Sequence, residues 1–148
     1  MPLYDTRMNV NSSLNPSTLP ADLQDIVTLF RNDAQDELSI NYLEFQSLVL
    51  SGGQVYRNEL ILLFSPQERK LTVPKVHFIH NKTVNFTELL DLLIKLGKAK
   101  EFSFLEINEV SGTELTKVLQ KSGFQRETRS YPLAMSFLKS NFWLLDLN

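Results

Sequence analysis

Between Val73 and Phe124 the chain spells the same structural unit twice, and this doublet constrains the fold more than any other feature. Each copy is an apolar run, a helix-start signal, a short amphipathic helix and a glycine stop. The first copy runs from Val76-His77-Phe78-Ile79 through Asn85-Phe86-Thr87-Glu88 to Gly97. The second runs from Phe102-Ser103-Phe104-Leu105-Glu106-Ile107 through Ser111-Gly112-Thr113-Glu114 to Gly123. A Ser or Asn followed three residues later by Glu satisfies two orphan N–H groups reciprocally, which is a capping box. A glycine after the last apolar helical position supplies the left-handed residue that closes a helix. The order strand, helix, strand, helix implies a parallel strand pair joined by a right-handed crossover. The expected class is therefore α/β (α+β), with a mixed central sheet of about 6–7 strands, helices on both faces and one βαβ parallel crossover.

The flanking sequence supplies the remaining elements. Residues 1–20 are polar and carry Pro2, Pro16 and Pro20, which reads as an arm or a short edge strand. Residues 21–140 read as one domain and 141–148 as an apolar tail. A first helix is expected from Ala21 to Gln35, because Leu23, Ile26, Val27 and Phe30 fall on one stripe; Thr18 is its expected cap. Three strands are expected next, at Tyr42–Leu50, Val55–Phe64 and Leu71–His80. Ser51-Gly52-Gly53-Gln54 marks the first hairpin turn and Ser65 to Arg69 the second. Pro74 lacks an N–H and so implies an edge or a bulge in the third strand. After Gly123 a final hairpin-like pair is expected at Phe124–Ser130 and Leu133–Leu138.

Composition removes several chemistries. With no cysteine in 148 residues there is no disulfide, thiolate metal site or cysteine nucleophile. The formal charge of -2, with the arginines scattered, gives no basic surface for nucleic acid. No run of 18 apolar residues offers a membrane span, and no leader pattern opens the chain, so synthesis and use in the cytoplasm are expected. His77 and His80 fall on opposite faces of a strand and make no metal pair. The acidic group Asp22, Asp25, Asp33, Asp36 and Glu37 reads as a solvated helix face and loop.

The element order resembles the GCN5-related N-acetyltransferase (GNAT) fold over nearly the whole chain. In residues, the resemblance concentrates at the end of the second helix, where Lys121, Gly123 and Phe124 match that family's Lys-x-Gly-Phe. The family's helix often reads Asn-x-x-Ala-x-x-x-Tyr before that point. Here those positions hold Gly112, Leu115 and Leu119. The tyrosine, in many members the acid toward the coenzyme A thiolate, is thus replaced by leucine. The resemblance implies a diphosphate site at the N-terminus of the crossover helix, where glycines usually let the backbone approach. The turn here, His80-Asn81-Lys82-Thr83-Val84-Asn85-Phe86, has no glycine. Val84 and Phe86 are expected to crowd a diphosphate, and Glu88 with Asp91 to occupy the positive end of the helix dipole.

Lys82, Thr83 and Asn85 remain the candidate anion-binding residues at that turn. His80 lies at the strand end, on the side where α/β sheets hold ligands. It is a candidate base together with Glu106, and Tyr131 is a candidate substitute acid; each also has an ordinary structural explanation. The sequence leans to a chain with a GNAT-like fold that has no catalysis and no cofactor and works by binding other proteins. Phe142, Trp143, Leu144, Leu145 and Leu147 are then the contact residues, since aromatic anchors dominate interfaces. Such a protein resembles the internal or tail-associated virion proteins of T7-like bacteriophages. The alternative is an N-acetyltransferase that uses acetyl-CoA through a divergent loop.

Overall fold

The computed structural model describes residues 19–35, 37–108, 110, 112–128 and 141–148. Helix α1 (Ala21–Ala34) buries Leu23, Ile26, Val27 and Phe30, the stripe expected from their spacing. The same spacing, continued by three, brings Asp33 inward as well. Pro20 holds the N-cap position and its carbonyl accepts from Leu23 N–H at 3.0 Å. Thr18 lies outside the described residues.

Among the described residues four strands precede the crossover, one more than expected between the first helix and the crossover: β1 (Leu38–Leu43), β2 (Ser47–Gly52), β3 (Asn58–Ser65) and β4 (Lys70–His77). The run Tyr42–Leu50 is not one strand. It folds back at Glu44-Phe45-Gln46, with Phe45 at φ 66° and Gln46 N–H bonded to Leu43 C=O at 2.9 Å. A phenylalanine in left-handed backbone carries no turn signature, which is why the apolar run conceals the break. Pro74 does mark a bulge. Ile61 pairs with Lys75 and Leu63 with Thr72, so two steps on β3 match three on β4. Parallel pairing with β5 (Phe104–Asn108) spans only Lys70 to Val73 against Phe104 to Ile107. Beyond the bulge β4 continues along β3 alone, and β4 and β5 part.

The described strands form a seven-stranded sheet in the order β1-β2-β3-β4-β5-β7-β6, with β4–β5 the parallel pair. Strand β6 spans Gln125–Thr128 and β7 spans Asn141–Asp146. Residues 141–148, read from sequence as a separate tail, instead supply β7, which lies between β5 and β6. Phe142, Trp143 and Leu147 are buried there, and Leu144 and Leu145 are half-buried. A continuous apolar run pairs on both edges, and burial in the sheet removes its apolar surface from water. The partner of β6 is therefore β7; residues Leu133–Leu138 lie outside the described residues.

Helix α2 (Lys82–Ala99) begins three residues before the expected capping box. Asn81, at φ 45°, is its N-cap residue, and Asn85 sits one turn inside, with its N–H bonded to Asn81 C=O. At the other end Gly97 is inside the helix, its Cα against Leu147. The left-handed position falls instead on Glu101, at φ 61°. Glu101 N–H reaches Lys98 C=O and Phe102 N–H reaches Gly97 C=O, a Schellman closure built on a non-glycine residue. Helix α3 (Thr113–Lys121) closes the same way with Gly123 at φ 95°, as its sequence predicts.

Strand register places Ile40, Leu50, Leu60, Leu62, Leu71, Leu105 and Leu145 on one face. On this face α1 meets β1, β2 and β3, and α2 packs on β4 and β5. Gly123, at the end of α3, sits against Leu145. The described helices thus account for one of the two faces expected to be covered. Successive right-handed crossovers stepping the same way along a sheet leave their helices on the same side.

Two substitutions test this packing. Trp143→Ala is expected to cost about 3–5 kcal/mol in a urea titration, because it empties a core position of an internal strand. A cost under about 1 kcal/mol would instead fit an accessory tail. Glu101→Gly is expected to raise stability by about 1 kcal/mol by relieving left-handed backbone strain.

Candidate active site

The polar centre lies where β4 ends and α2 begins. Phe78 leaves the strand and stacks on Phe30 of α1, ring centroids 4.6 Å apart, which brings the next two residues against the end of α1. There Asp33 Oδ2 accepts from Ile79 N–H at 2.9 Å and Asn58 Nδ2 at 3.0 Å, while Oδ1 accepts from His80 N–H at 2.8 Å. Asn58, fully buried at the start of β3, also donates to Phe30 C=O at 2.9 Å. The Asp33 side chain is itself wholly buried. Burial alone would favour its neutral form. The N–H groups of Ile79 and His80, then the Asn58 amide and the nearby His80 ring, outweigh it, and the carboxyl titrates below its ordinary 3.8.

This network fixes His80. Its ring Nδ1 lies 3.0 Å from the backbone carbonyl oxygen of Asp33 and 3.4 Å from Asp33 Oδ1. A carbonyl only accepts, so Nδ1 is the donor, and the neutral ring keeps its lone pair on Nε2. The side chain is 46% exposed and lines a cleft of about 460 Å³ between α1 and α2. Asp25, Asn32, Asn85 and Glu88 line the same cleft. Asn85 Nδ2 donates to His80 C=O at 2.8 Å and so holds the loop from the α2 side.

On the other flank of the α2 N-terminus, a groove of about 520 Å³ runs between α2 and α3, lined by Thr83, Glu114, Lys117, Val118, Gln120 and Lys121. Helix α2 has no capping bond from a side group, and no acidic residue stands in its first turn. This corrects two expectations. With the helix starting at Lys82, Glu88 falls in its second turn and does not occupy the dipole's positive end. Phe86 points into the core, 1% exposed, and does not crowd the turn; Val84 is the bulky residue left there, at 67% exposure. Thr83 Oγ1 donates to Glu114 Oε1 at 3.3 Å, so a carboxylate from α3 reaches this end.

The candidates are thus divided. His80 and Asn85 share the α1–α2 cleft, Thr83 lines the α2–α3 groove, and Lys82 opens the helix between them. Glu106 is buried on the sheet face opposite Leu105 and Ile107, with Lys70 Nζ 3.4 Å away, and the structure does not bring it to His80. Tyr131 lies outside the described residues. Phe142 to Leu145 form part of the sheet and Leu147 is buried just beyond it, so the adhesive end that supported a binding role is not presented as a tail. Asp33, grouped from sequence with a solvated acidic face, is the most heavily bonded residue at the site; the apolar stripe of α1 carried the signal of its burial. Lys121 stood out in sequence only as part of Lys-x-Gly-Phe, and Lys117, one helical turn before it, had no signal of its own.

No protein-family model matches the chain, and no curated protein sequence matches it. Solved structures do match its fold. A probable acetyltransferase aligns with 82% of this chain and 69% of its own, at a TM-score of 0.51 and 14% identity. An IAA acetyltransferase from Bacillus cereus ATCC 14579 aligns with 90% of this chain and 95% of its own, at 0.48 and 13%. A GNAT family acetyltransferase from Elizabethkingia anophelis with acetyl-CoA bound aligns with 82% of each chain, at 0.45 and 13%. The chain therefore shares the fold of the probable acetyltransferase.

Asp33→Asn is expected to cost about 2–4 kcal/mol, since an amide leaves a buried N–H facing another donor. Because the folded carboxyl is lowered, the charge stabilises the wild type above the ordinary 3.8 and that contribution is lost as pH falls through the folded value. Acid titrations of both proteins check this: the gap between them closes below that pH, and a gap independent of pH would refute the assignment.

Proposed function

We propose that the chain is an acyl-CoA-dependent N-acyltransferase whose coenzyme lies along the α2–α3 groove. The observation that carries this reading is the α2 N-terminus itself: an 18-residue helix, uncapped, opening where β4 and β5 part. Aligned peptide dipoles and unpaired N–H groups favour a diphosphate at such a point. Lys117 and Lys121 on α3 add two cations along the groove that leads from it.

When bound, the coenzyme supplies an acyl thioester activated for transfer. The protein's part is to hold the charged end, orient the arm and accept a proton from the incoming amine. Leu119, at the position of the family's acid, is fully buried and donates nothing.

Glu114 opposes an anion in this groove, and the lysines favour it. Coenzyme A at one hundred times its dissociation constant is expected to stabilise the fold by about 2.7 kcal/mol, read as a rise in Tm. Lys117→Glu with Lys121→Glu should abolish that rise, and Glu114→Gln should enlarge it. No shift in the wild type at millimolar coenzyme A would sink the reading.

A further inference from the structure

We infer that a small aromatic cavity, at the end of the sheet remote from His80, is a binding site for a quaternary ammonium group. Its lining includes the rings of Tyr42, Phe45, Phe64 and Phe102, with Glu44 and Lys100 beside them. It lies where β1, β3 and α2 end. The 18-residue length of α2 therefore separates it by about 27 Å from the turn that opens that helix. The inference does not depend on the acyltransferase reading.

Three segments bring the rings together. Tyr42 sits near the end of β1, just before the chain folds back through Glu44-Phe45-Gln46. Phe64 N–H bonds Gln46 C=O at 2.8 Å, which ties that turn to β3. Phe102 follows Glu101, the left-handed residue that closes α2, and is 8% exposed. Tyr42 and Phe64 are half-buried. Phe45 differs from all three: it is 70% exposed and held at φ 66°. Glycine or asparagine takes that backbone at lower cost. A ring left mostly in water returns little burial energy, so packing does not account for this residue. As a wall of the cavity it has a use.

Size and charge select the ligand. The volume, about 90 Å³, is far below the roughly 300 Å³ at which drug-sized sites begin, so the cavity takes a head group and not a whole cofactor. The face of an aromatic ring is its negative side, and it attracts a cation most strongly where water is excluded. Among the described residues none of the four rings stacks on another, Tyr42 Oη makes no hydrogen bond and Glu44 makes no ion pair. Lys100, the cation among the described lining residues, has its Nζ 3.2 Å from Asp22 Oδ2, which offsets its charge. Burial, and then the carboxylates of Glu44 and Asp22, raise the Tyr42 hydroxyl above its ordinary 10.0, so the field of both carboxylates reaches this ring. A methylated ammonium suits such a lining better than a primary one. It spreads its charge over apolar methyl groups and has no N–H left without an acceptor on entering.

The test is an NMR titration of the full chain with choline, with its neutral isostere 3,3-dimethylbutan-1-ol, and with ethanolamine. Choline is expected to shift the Tyr42, Phe45 and Phe102 signals saturably at millimolar concentration. The alcohol and the primary amine should each bind at least about tenfold more weakly. Phe45→Leu keeps an apolar side chain and removes the ring; it should weaken choline about tenfold and leave the alcohol unchanged, whereas Phe45→Trp should strengthen choline. Glu44→Gln should weaken choline about threefold. Both positions are exposed, so these variants keep the fold. An N-acetylated trimethyl-lysine amide titrated in parallel separates the two sources of the group: it binds more tightly than choline if the natural ligand is a modified side chain, and less tightly if it is a free solute. Equal affinity for choline and the alcohol, full choline affinity in Phe45→Leu, or shifts that never saturate would each overturn the inference.

Discussion

A carboxylate taken out of water is unstable unless nearly every lone pair finds a donor, and Asp33 meets that condition with donors from two other parts of the protein. It is carried by α1, accepts from the amide that opens β3, and accepts from two successive backbone N–H groups in the loop after β4. The bonds are charge-assisted and shielded from solvent, which makes each stronger than its exposed counterpart. Their geometric effect is as large as their energy. They fix the path of Ile79 and His80, hence the point at which α2 begins, and hence the two concavities on either side of it. Removing one partner leaves the others buried and unmatched, so the network acts as a unit.

The second constraint is the bulge at Pro74. A residue without an N–H is tolerated in a strand only where the ladder can lose a bond. Here that loss coincides with the end of the parallel pairing. Strand β4 stays with β3, strand β5 turns to β7, and the space between them opens at the end of the sheet where helix termini point. The site is thus a product of backbone covalent chemistry as much as of functional groups.

How much of this was readable beforehand differs by element. The parallel crossover, the α1 stripe, the Pro74 bulge and the Gly123 closure each rest on a local rule that tertiary packing did not override. The break at Phe45 and the Glu101 closure were hidden, because each places an ordinary, non-turn-forming residue in left-handed backbone. No composition signal marks such a residue; its strain is offset by contacts made elsewhere. Asn85-Phe86-Thr87-Glu88 reads as a cap, yet Asn81 takes that place. The loop is pinned by Asp33, some fifty positions earlier, and local propensity yields to that long-range tie. The apolar end at 142–147 was equally ambiguous: adhesive and internal strands share one composition, and only the pairing of both edges tells them apart.

The placement of β7 has a consequence for how the protein reaches this state. Strand β6 is earlier in sequence, yet among the described residues it joins the sheet only through β7. Until residues 141–146 arrive, β5 offers one bare edge, with Leu105 and Ile107 on it, and Gln125–Thr128 has nothing to pair with. An open edge of that kind invites pairing with another molecule. Assembly of this half of the protein therefore waits on residues 141–146, and the interval before they dock is when the polypeptide is most exposed to aggregation.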